Sequence, residues 1–285
     1  MLILKSRVAD LLSYWQAAAA GKVSGVHDLR VAAKRLREAL RVLKPLLPKA
    51  ARREVLPVVE RVNDALGQVR DRDVLRQSFK TLMKDDPRLE DLQPLRRQLA
   101  RERRSYQAQL VETLSAIERE SFSQRYRLLM KALREAARED GQPIGGFAAE
   151  AVLSRLADVE ANLEAISGRH DSAAFHRERI RVKKLRYALE PFLTILPAAV
   201  KQPYRLISQL QELMGEVHDQ EVQREFVKRW AAEHGMTEGL KVALEELTAR
   251  RRRLLNETRA HLKRMLEAQF AERLRELMGT LTEAA

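Results

Sequence analysis

Four blocks of this sequence occur twice in the same order, and this repeat limits the fold more than any other feature. The paired blocks begin at Val26 and Phe175, Leu47 and Leu196, Leu66 and Met214, and Leu99 and Thr248. In the first pair, VHDLRVAAKRLREAL matches FHRERIRVKKLRYAL. The third pair, LGQVRDRDV and MGEVHDQEV, follows after a one-residue deletion. This ordered repetition predicts an internal duplication and two helical bundles in a pseudo-two-fold arrangement.

The spacing of apolar residues predicts an all-α protein. Nearly every segment has apolar residues three and four positions apart, whereas alternating patterns and Asn-Gly hairpin turns, which are typical of strands, are missing. Gly and Pro punctuate the chain often enough for about ten helices. The expected breaks lie at 21–25, Leu47-Pro48, Gly67, 85–87, 141–146, Leu196-Pro197, Gly215 and Gly235.

The break at 141–146 is the richest in glycine and lies near the middle of the 285 residues. A chain of this length can form two domains, or one domain made of two similar halves. Together with the repeat, this break predicts a first helical bundle over 1–140 and a second over 147–285. The two bundles are expected to form one domain.

One face of the helix predicted from Val26 onward is basic. At about 100° per residue, five side chains fall within a sector of about 80°. This first stripe consists of His27, Arg30, Lys34, Arg37 and Arg41. Glu38 is the only acid between Lys34 and Lys44, and no Glu-to-Lys pair at four-residue spacing relieves the like-charge repulsion. We therefore expect a bound anion to relieve it.

The second copy repeats this geometry. The second stripe consists of His176, Arg179, Lys183 and Arg186. Arg181 replaces Ala32 on the apolar side, so it should reach solvent, pair with a carboxylate or mark a difference between the halves. The LARERR and TARRRR blocks add arginines that we assign to the same groove. The complete candidate set is His27, Arg30, Lys34, Arg35, Arg37, Arg41, Arg101, Arg104, His176, Arg179, Lys183, Lys184, Arg186, Arg250 and Arg253.

These residue types suit a row of phosphates. Arginine presents a planar fork of donors, lysine a mobile point charge, and histidine a group that a neighbouring anion can protonate near neutral pH. The net charge of +13 also favours a polyanionic partner. Asp71 and Asp219 follow the glycine breaks and are expected to cap helix N-termini. Arg70, which becomes His218 in the second half, either extends the site or marks a difference.

The two stripes resemble a known family. His-x-x-Arg-Val-x-x-Lys-Arg-Leu-Arg at 27–37 and His-x-x-Arg-Ile-x-x-Lys-Lys-Leu-Arg at 176–186 resemble the CHAD, or conserved histidine α-helical, domains. Leu-Gly-x-x-Arg-Asp at 66–71 and Met-Gly-x-x-His-Asp at 214–219 fit the same pattern, and the resemblance covers nearly the whole chain. It implies two four-helix bundles related by pseudo-two-fold symmetry, a central basic channel and binding of inorganic polyphosphate, sometimes at polyphosphate granules.

The resemblance also bears on a partner enzyme. Family members are often fused to a CYTH triphosphate-tunnel domain. The sequence has no strand-rich segment that could form one, so a catalytic partner of that type would be a separate chain.

Two other functions compete with polyphosphate binding. Basic, arginine-rich helices would also attract nucleic acid, but only 5% of the residues are aromatic, so stacking platforms for single strands are scarce. A metal-dependent phosphohydrolase would use His27 and His176 with Asp28, Asp71 or Asp219 as ligands. Cations surround both histidines, and there is no His-Glu-x-x-His motif, so this interpretation is the weaker one.

Further classes are excluded by what the sequence lacks. Without cysteine there are no disulfides and no zinc fingers. No phosphate-binding Gly-x-x-x-x-Gly-Lys-Ser/Thr loop and no nucleophilic triad is recognised. Lys5, Arg7 and Asp10 interrupt the apolar run that a secretory signal would need at the start of the sequence. No stretch has the apolar length of a membrane span. We expect a soluble, cytoplasmic, non-enzymatic protein that uses no cofactor or metal and binds no membrane.

The expected roles follow from side-chain chemistry. Arg30, Arg37, Arg179 and Arg186 would clamp phosphates, and Lys34 and Lys183 would neutralise them. His27 and His176 would tune affinity, with tighter binding as the pH falls toward about 6.

Overall fold

The computed structural model describes residues 2–117, 119–140, 144–162 and 172–283. These residues form ten α-helices and no strand, which confirms the all-α prediction. The helices are α1 Leu2–Ala19, α2 Val23–Val42, α3 Lys49–Asp85, α4 Leu92–Ala116, α5 Arg119–Asp140, α6 Ile144–Glu160, α7 Ser172–Leu189, α8 Lys201–His234, α9 Glu238–Glu267 and α10 Phe270–Glu283. Short 3-10 helices lie at Lys44–Leu46, Pro87–Asp91, Glu190–Phe192 and Ala198–Val200. None of the described helices is long and apolar enough to cross a membrane.

Most of the predicted helix breaks are confirmed, but two are wrong. α3 continues through Gly67, and α8 continues through Gly215. A single interior glycine costs a helix only about 1 kcal/mol relative to alanine. The buried apolar face of each long helix outweighs that cost. At the break predicted over 141–146, residues 141–143 lie outside the described residues, and α6 begins at Ile144.

The chain divides into two compact units. The first unit contains Met1–Gln142 and Thr237–Leu240, and the second contains Pro143–Met236 and Lys241–Ala285. In the first unit α2 packs against α1 and α3, and α3 also packs against α4 and α5. In the second, α6 packs against α7 and α10, and α7 packs against α8. The internal duplication, the pseudo-two-fold symmetry and the bounds 1–140 and 147–285 stay predictions.

A hydrogen-bonded cap explains why Thr237–Leu240 belongs to the first unit. The hydroxyl of Thr237 donates to Oδ2 of Asp91 at 2.6 Å, and the backbone N–H of Gly239 donates to the same oxygen at 3.1 Å. Asp91 therefore satisfies a donor that would otherwise be unpaired at the start of α9.

The apolar faces of α2 and α7 fix the direction of their charged faces. In α2 the buried side includes Leu29, Leu36 and Leu40, all fully buried. In α7 it includes Val182 and Leu185, which are also fully buried. Each such side chain contributes about 1.5–3 kcal/mol when it leaves water, so neither helix can rotate about its axis without a large loss.

Helices α1 and α2 lie in close contact at Gly25. A Cβ atom at this position would lie 2.5 Å from the carbonyl carbon of Ala17 and 2.6 Å from its Cβ. Only glycine fits, because the contact on the other side is mainly backbone.

We expect Gly25→Ala to lower the free energy of unfolding by about 1–3 kcal/mol, since the two helices must separate to admit a methyl group. Denaturant unfolding followed by circular dichroism measures this change. Gly146→Ala is the matched control, because a Cβ there meets nothing within 4 Å. The control should be neutral or stabilising by up to about 1 kcal/mol. Equal effects of the two substitutions would contradict the close crossing.

Candidate functional site

In the first unit, the first stripe lies on the face of α2 opposite the buried leucines. His27 and Arg41 are exposed, whereas Arg30, Lys34 and Arg37 are half-buried. The predicted register of the stripe is therefore confirmed in this helix. Its members differ in how firmly they are held.

Arg30 is held against α3 by two polar contacts. Its Nη1 donates to the backbone carbonyl of Asn63 at 3.1 Å, and its Nη2 lies 3.7 Å from Oδ1 of Asp71. Burial lowers the pKa of Arg30, Asp71 opposes that shift, and the nearby Arg37 and Arg70 add to it. The guanidinium is therefore a positioned cation that an additional anion would stabilise.

Gly67 makes room for this arginine. A Cβ atom at Gly67 would lie 2.6 Å from Nη1 of Arg30. The glycine that the sequence suggested as a helix break instead lets a guanidinium lie directly on the helix backbone. At Gly215, in α8, a Cβ would meet nothing within 4 Å, so the second unit has no such requirement.

The expected capping role of Asp71 and Asp219 is wrong. Asp71 lies inside α3 and Asp219 inside α8, because both helices continue through the preceding glycines. Interior backbone N–H groups already bond within the helix and need no cap. Each aspartate instead interacts with the arginine of the adjacent stripe: Asp71 pairs with Arg30, and Asp219 opposes the lowering of the pKa of Arg179 by burial.

Carboxylates of the protein relieve the like-charge repulsion at one end of the first stripe, where the sequence predicted that a bound anion would do so. Glu38 is only 8% exposed and accepts hydrogen bonds from Arg37 at 2.8 Å and from Arg41 at 3.4 Å. Glu60 of α3 accepts from Arg41 at 2.7 Å. These pairs form at one- and three-residue spacing and between helices, so a search for four-residue spacing misses them. A ligand at Arg37 would have to compete with Glu38.

In the second unit, α7 and α8 bring two histidines together beside Arg179. The ring centroids of His176 and His218 are 5.3 Å apart and the rings are tilted by 54°. Burial, with smaller contributions from the charges of Arg179 and His176, lowers the pKa of His218 to about 4, and Glu221 opposes this shift. His218 is therefore neutral at pH 7. Among the described residues, no group of three or more His, Asp or Glu side chains is arranged to hold a metal ion.

Arg179 is half-buried and less completely paired than Arg30. Burial lowers its pKa, with Asp219 opposing. Its Nε is buried and has no hydrogen-bond partner within the described part of the chain. A buried donor without an acceptor is costly, so an anion that reached this guanidinium would recover a hydrogen bond.

Arg186 and Arg181 are both tied to carboxylates. Nη1 of Arg186 donates to Gln211 at 3.0 Å, and its Nη2 lies 3.5 Å from the buried carboxylate of Glu190. Arg181 pairs with Glu178, which is 1% exposed, so of the three alternatives left open for Arg181 the structure shows pairing with a carboxylate. Burial raises the pKa of Glu178 although Arg181 opposes this shift.

The remaining candidates lie at the surface of other helices or flank the stripes. Arg101 and Arg104 are exposed on α4, whereas the intervening Arg103 donates to Asp73 at 3.0 Å and to the Gly21 carbonyl at 2.8 Å. On α9, Arg250 and Arg253 share Glu246 at 2.6 and 3.3 Å. Arg35 is half-buried on α2 and Lys184 is exposed on α7. It stays a prediction that Arg101, Arg104, Arg250 and Arg253 belong to the same groove as the stripes.

Two neighbours of the stripes were left open by sequence. Arg70 contributes to the lowered pKa of Arg30, and the ring of His218 lies near that of His176. Arg70 and His218 occupy matching positions of the repeat, and this match was the sequence feature that could have placed both beside the stripes. The sequence could not show that the backbone carbonyl of Asn63 accepts a hydrogen bond from Arg30, because every residue has such a carbonyl.

Comparison with known proteins identifies the family. The model of the CHAD domain family matches residues 2–228. The chain belongs to the CHAD family. This CHAD domain is similar to the crystal structure of the CHAD domain from the plant Ricinus communis, with a TM-score of 0.65 and 22% identity over 92% of this chain and 89% of that one.

A second solved structure is about as similar to this CHAD domain. PptA from Streptomyces chartreusis has a TM-score of 0.64 and 17% identity, over 93% of this chain and 96% of PptA. At these identities the two likenesses show a shared fold. No curated protein is significantly similar to this CHAD domain.

We expect Gly67→Ala to stabilise the protein less than Gly215→Ala does. Both substitutions remove an interior helix glycine and should gain up to about 1 kcal/mol. At position 67 that gain is offset, because the methyl group displaces Arg30 from the Asn63 carbonyl. Denaturant unfolding of the two variants measures the difference, and equal stabilisation would contradict the contact between Gly67 and Arg30.

His218 should make stability depend on pH. The folded protein holds the pKa of His218 near 4, whereas an unfolded histidine titrates near its usual 6.5. Between these values the unfolded state binds more protons, so this residue's contribution to stability falls as pH falls from 6.5 to 4. We expect His218→Gln to lose less stability than the wild type over that window in thermal unfolding. His234→Gln, an exposed histidine of the same helix, is the control and should follow the wild type.

Proposed function

We propose that this CHAD domain binds inorganic polyphosphate and does not catalyse its conversion. The observation that carries the proposal is the half-buried arginine of each stripe, Arg30 and Arg179. Both guanidinium groups lie one helical turn after a stripe histidine, and burial lowers the pKa of both. Each is therefore a fixed cation that gains from a nearby anion.

A phosphate polymer fits these positions better than a single small anion does. Along an α-helix the stripe residues repeat every three or four positions, so successive donors are about 5 Å apart. A chain of phosphates carries charge along its length and can contact several donors in turn. Arginine forks bind phosphate oxygens in pairs, which adds geometric selection to charge attraction.

The contacts around each stripe suggest an order among its members. Arg30 and Arg179 would clamp phosphates most directly. Arg37 would contribute only where the ligand displaces Glu38 or binds the guanidinium beside it. The same holds for Arg186 and Glu190. Lys34 and Lys183 would neutralise phosphate charge, and His27 and His176 would tune affinity with pH.

The wider expectations belong to the same proposal. They comprise a cytoplasmic location, association with polyphosphate granules and a separate CYTH-type enzyme as a partner. They also include a basic channel to which Arg101, Arg104, Arg250 and Arg253 contribute. Nucleic acid is the competing ligand, because exposed arginines attract any polyanion.

The test is calorimetric titration of long-chain polyphosphate into the wild type and an Arg30→Ala/Arg179→Ala variant at about 0.15 M salt. Charge-assisted hydrogen bonds contribute about 1.5–3 kcal/mol each. The double variant should therefore bind about 100-fold more weakly or worse. Duplex DNA should fail to displace polyphosphate from the wild type.

Two controls separate site geometry from general charge. Arg97→Ala/Arg252→Ala removes the same charge from exposed arginines outside both stripes, and its affinity should fall by less than about tenfold. Gly67→Ala keeps the net charge but displaces Arg30, so its affinity should fall. If both double variants weaken binding equally and DNA competes, the protein binds polyanions through a general basic surface and the nucleic-acid interpretation replaces this one.

A further inference from the structure

The second unit contains a histidine pair whose chemistry differs from the rest of the stripes. His176 is exposed on α7, and His218 is half-buried on α8 with its ring centroid 5.3 Å away. The half-buried guanidinium of Arg179 lies beside them with an unpaired Nε within the described residues. Two imidazoles and a guanidinium together offer donors for phosphate oxygens, provided that the imidazoles carry protons.

Burial first, and then the charged groups around His218, keep this histidine neutral in the free protein. Arg179 and His176 oppose its protonation from α7, and Glu221 favours it from α8. Glu221 is itself occupied, since Arg224 lies 3.1 Å and Arg251 of α9 lies 2.8 Å from its Oε2. Asp219, a second carboxylate of α8, raises the pKa of Arg179 against the effect of burial. The balance of charge near the two rings is therefore positive, which an incoming phosphate would reverse.

We propose that polyphosphate binding to the second unit is coupled to the uptake of one proton by His218, which then binds phosphate together with His176 and Arg179. The inference rests on the proposed function and adds His218 to the site. The proton comes from solvent, and the neutral imidazole becomes an imidazolium that donates to a phosphate oxygen. No covalent bond forms or breaks.

The pH dependence follows from the sign of this coupling. In the free protein the pKa of His218 is about 4, and a bound phosphate raises it. Between the free and bound values the complex holds more protons than the free protein, so affinity rises as pH falls. Uptake of one proton limits that rise to about tenfold per pH unit. In the first unit the matching repeat position is Arg70, which is charged at every physiological pH and takes up no proton.

The test is titration of polyphosphate at about pH 6 in two buffers with different ionisation enthalpies, which counts the protons bound. The wild type should take up more protons than His218→Gln, by up to one per chain, and the difference in affinity between the two should shrink as the pH rises from about 6 to 8. Protonation of the ligand and of histidines outside this pair is common to both proteins and cancels, so the difference counts the protons of the pair formed by His176 and His218. His234→Gln lies four turns farther along α8, about 24 Å away, and should match the wild type.

A second variant, His218→Arg, and the titration of the His218 ring itself test the coupling further. His218→Arg copies Arg70, so it should bind without the extra proton and should lose the added pH dependence. In nuclear magnetic resonance spectra, the ring signal absent from His218→Arg should titrate near pH 4 in the free wild type and at higher pH with polyphosphate bound. Equal proton uptake by the wild type and both variants, or an unchanged ring titration, overturns the coupling. Failure of the wild type to bind at either pH overturns the proposed function itself.

Discussion

Half-burial of a guanidinium charge is the constraint on which the arrangement of the first unit depends. Removing Arg30 from bulk water is unfavourable unless its donors and charge find partners. α3 meets this need with the carbonyl of Asn63, the carboxylate of Asp71 and the absent side chain of Gly67. The apolar faces of α2 and α3 hold the two helices at the distance where these contacts form. The core thereby determines the position of the cation.

Local patterns allowed much of this structure to be predicted. The helix class and the faces of α2 and α7 follow from residue spacing, because a helix repeats every 3.6 residues whatever surrounds it. The ion pairs of Glu38 and Glu60 depend on side-chain direction and on a neighbouring helix. The continuity of α3 through Gly67 depends on packing energy that outweighs propensity. These tertiary effects leave no periodic signal, and the capping role assigned to Asp71 was wrong for the same reason.

The two stripes match in sequence more closely than in their surroundings. Arg30 lies against a glycine and near Arg70, and both arginines keep their charge at any physiological pH. Arg179 lies beside the pair of His176 and His218, and Gly215 has open space around it. Similar blocks of sequence therefore produce one site of permanent charge and one whose charge can change. Substitution of a single stripe residue should not be assumed to have the same effect in both units.

Internal carboxylates limit how strongly the stripes can attract an anion. Glu38 and Glu190 hold Arg37 and Arg186 in place when no ligand is present, which reduces repulsion within each helix. A ligand that draws these arginines away leaves a buried carboxylate without its partner, and this cost subtracts from affinity. Arg30 and Arg179 face exposed aspartates, whose charge water can solvate when an anion takes their place. The exposure of the competing carboxylate, rather than the number of cations, therefore distinguishes arginines that can bind a ligand at low cost from those that mainly support the fold.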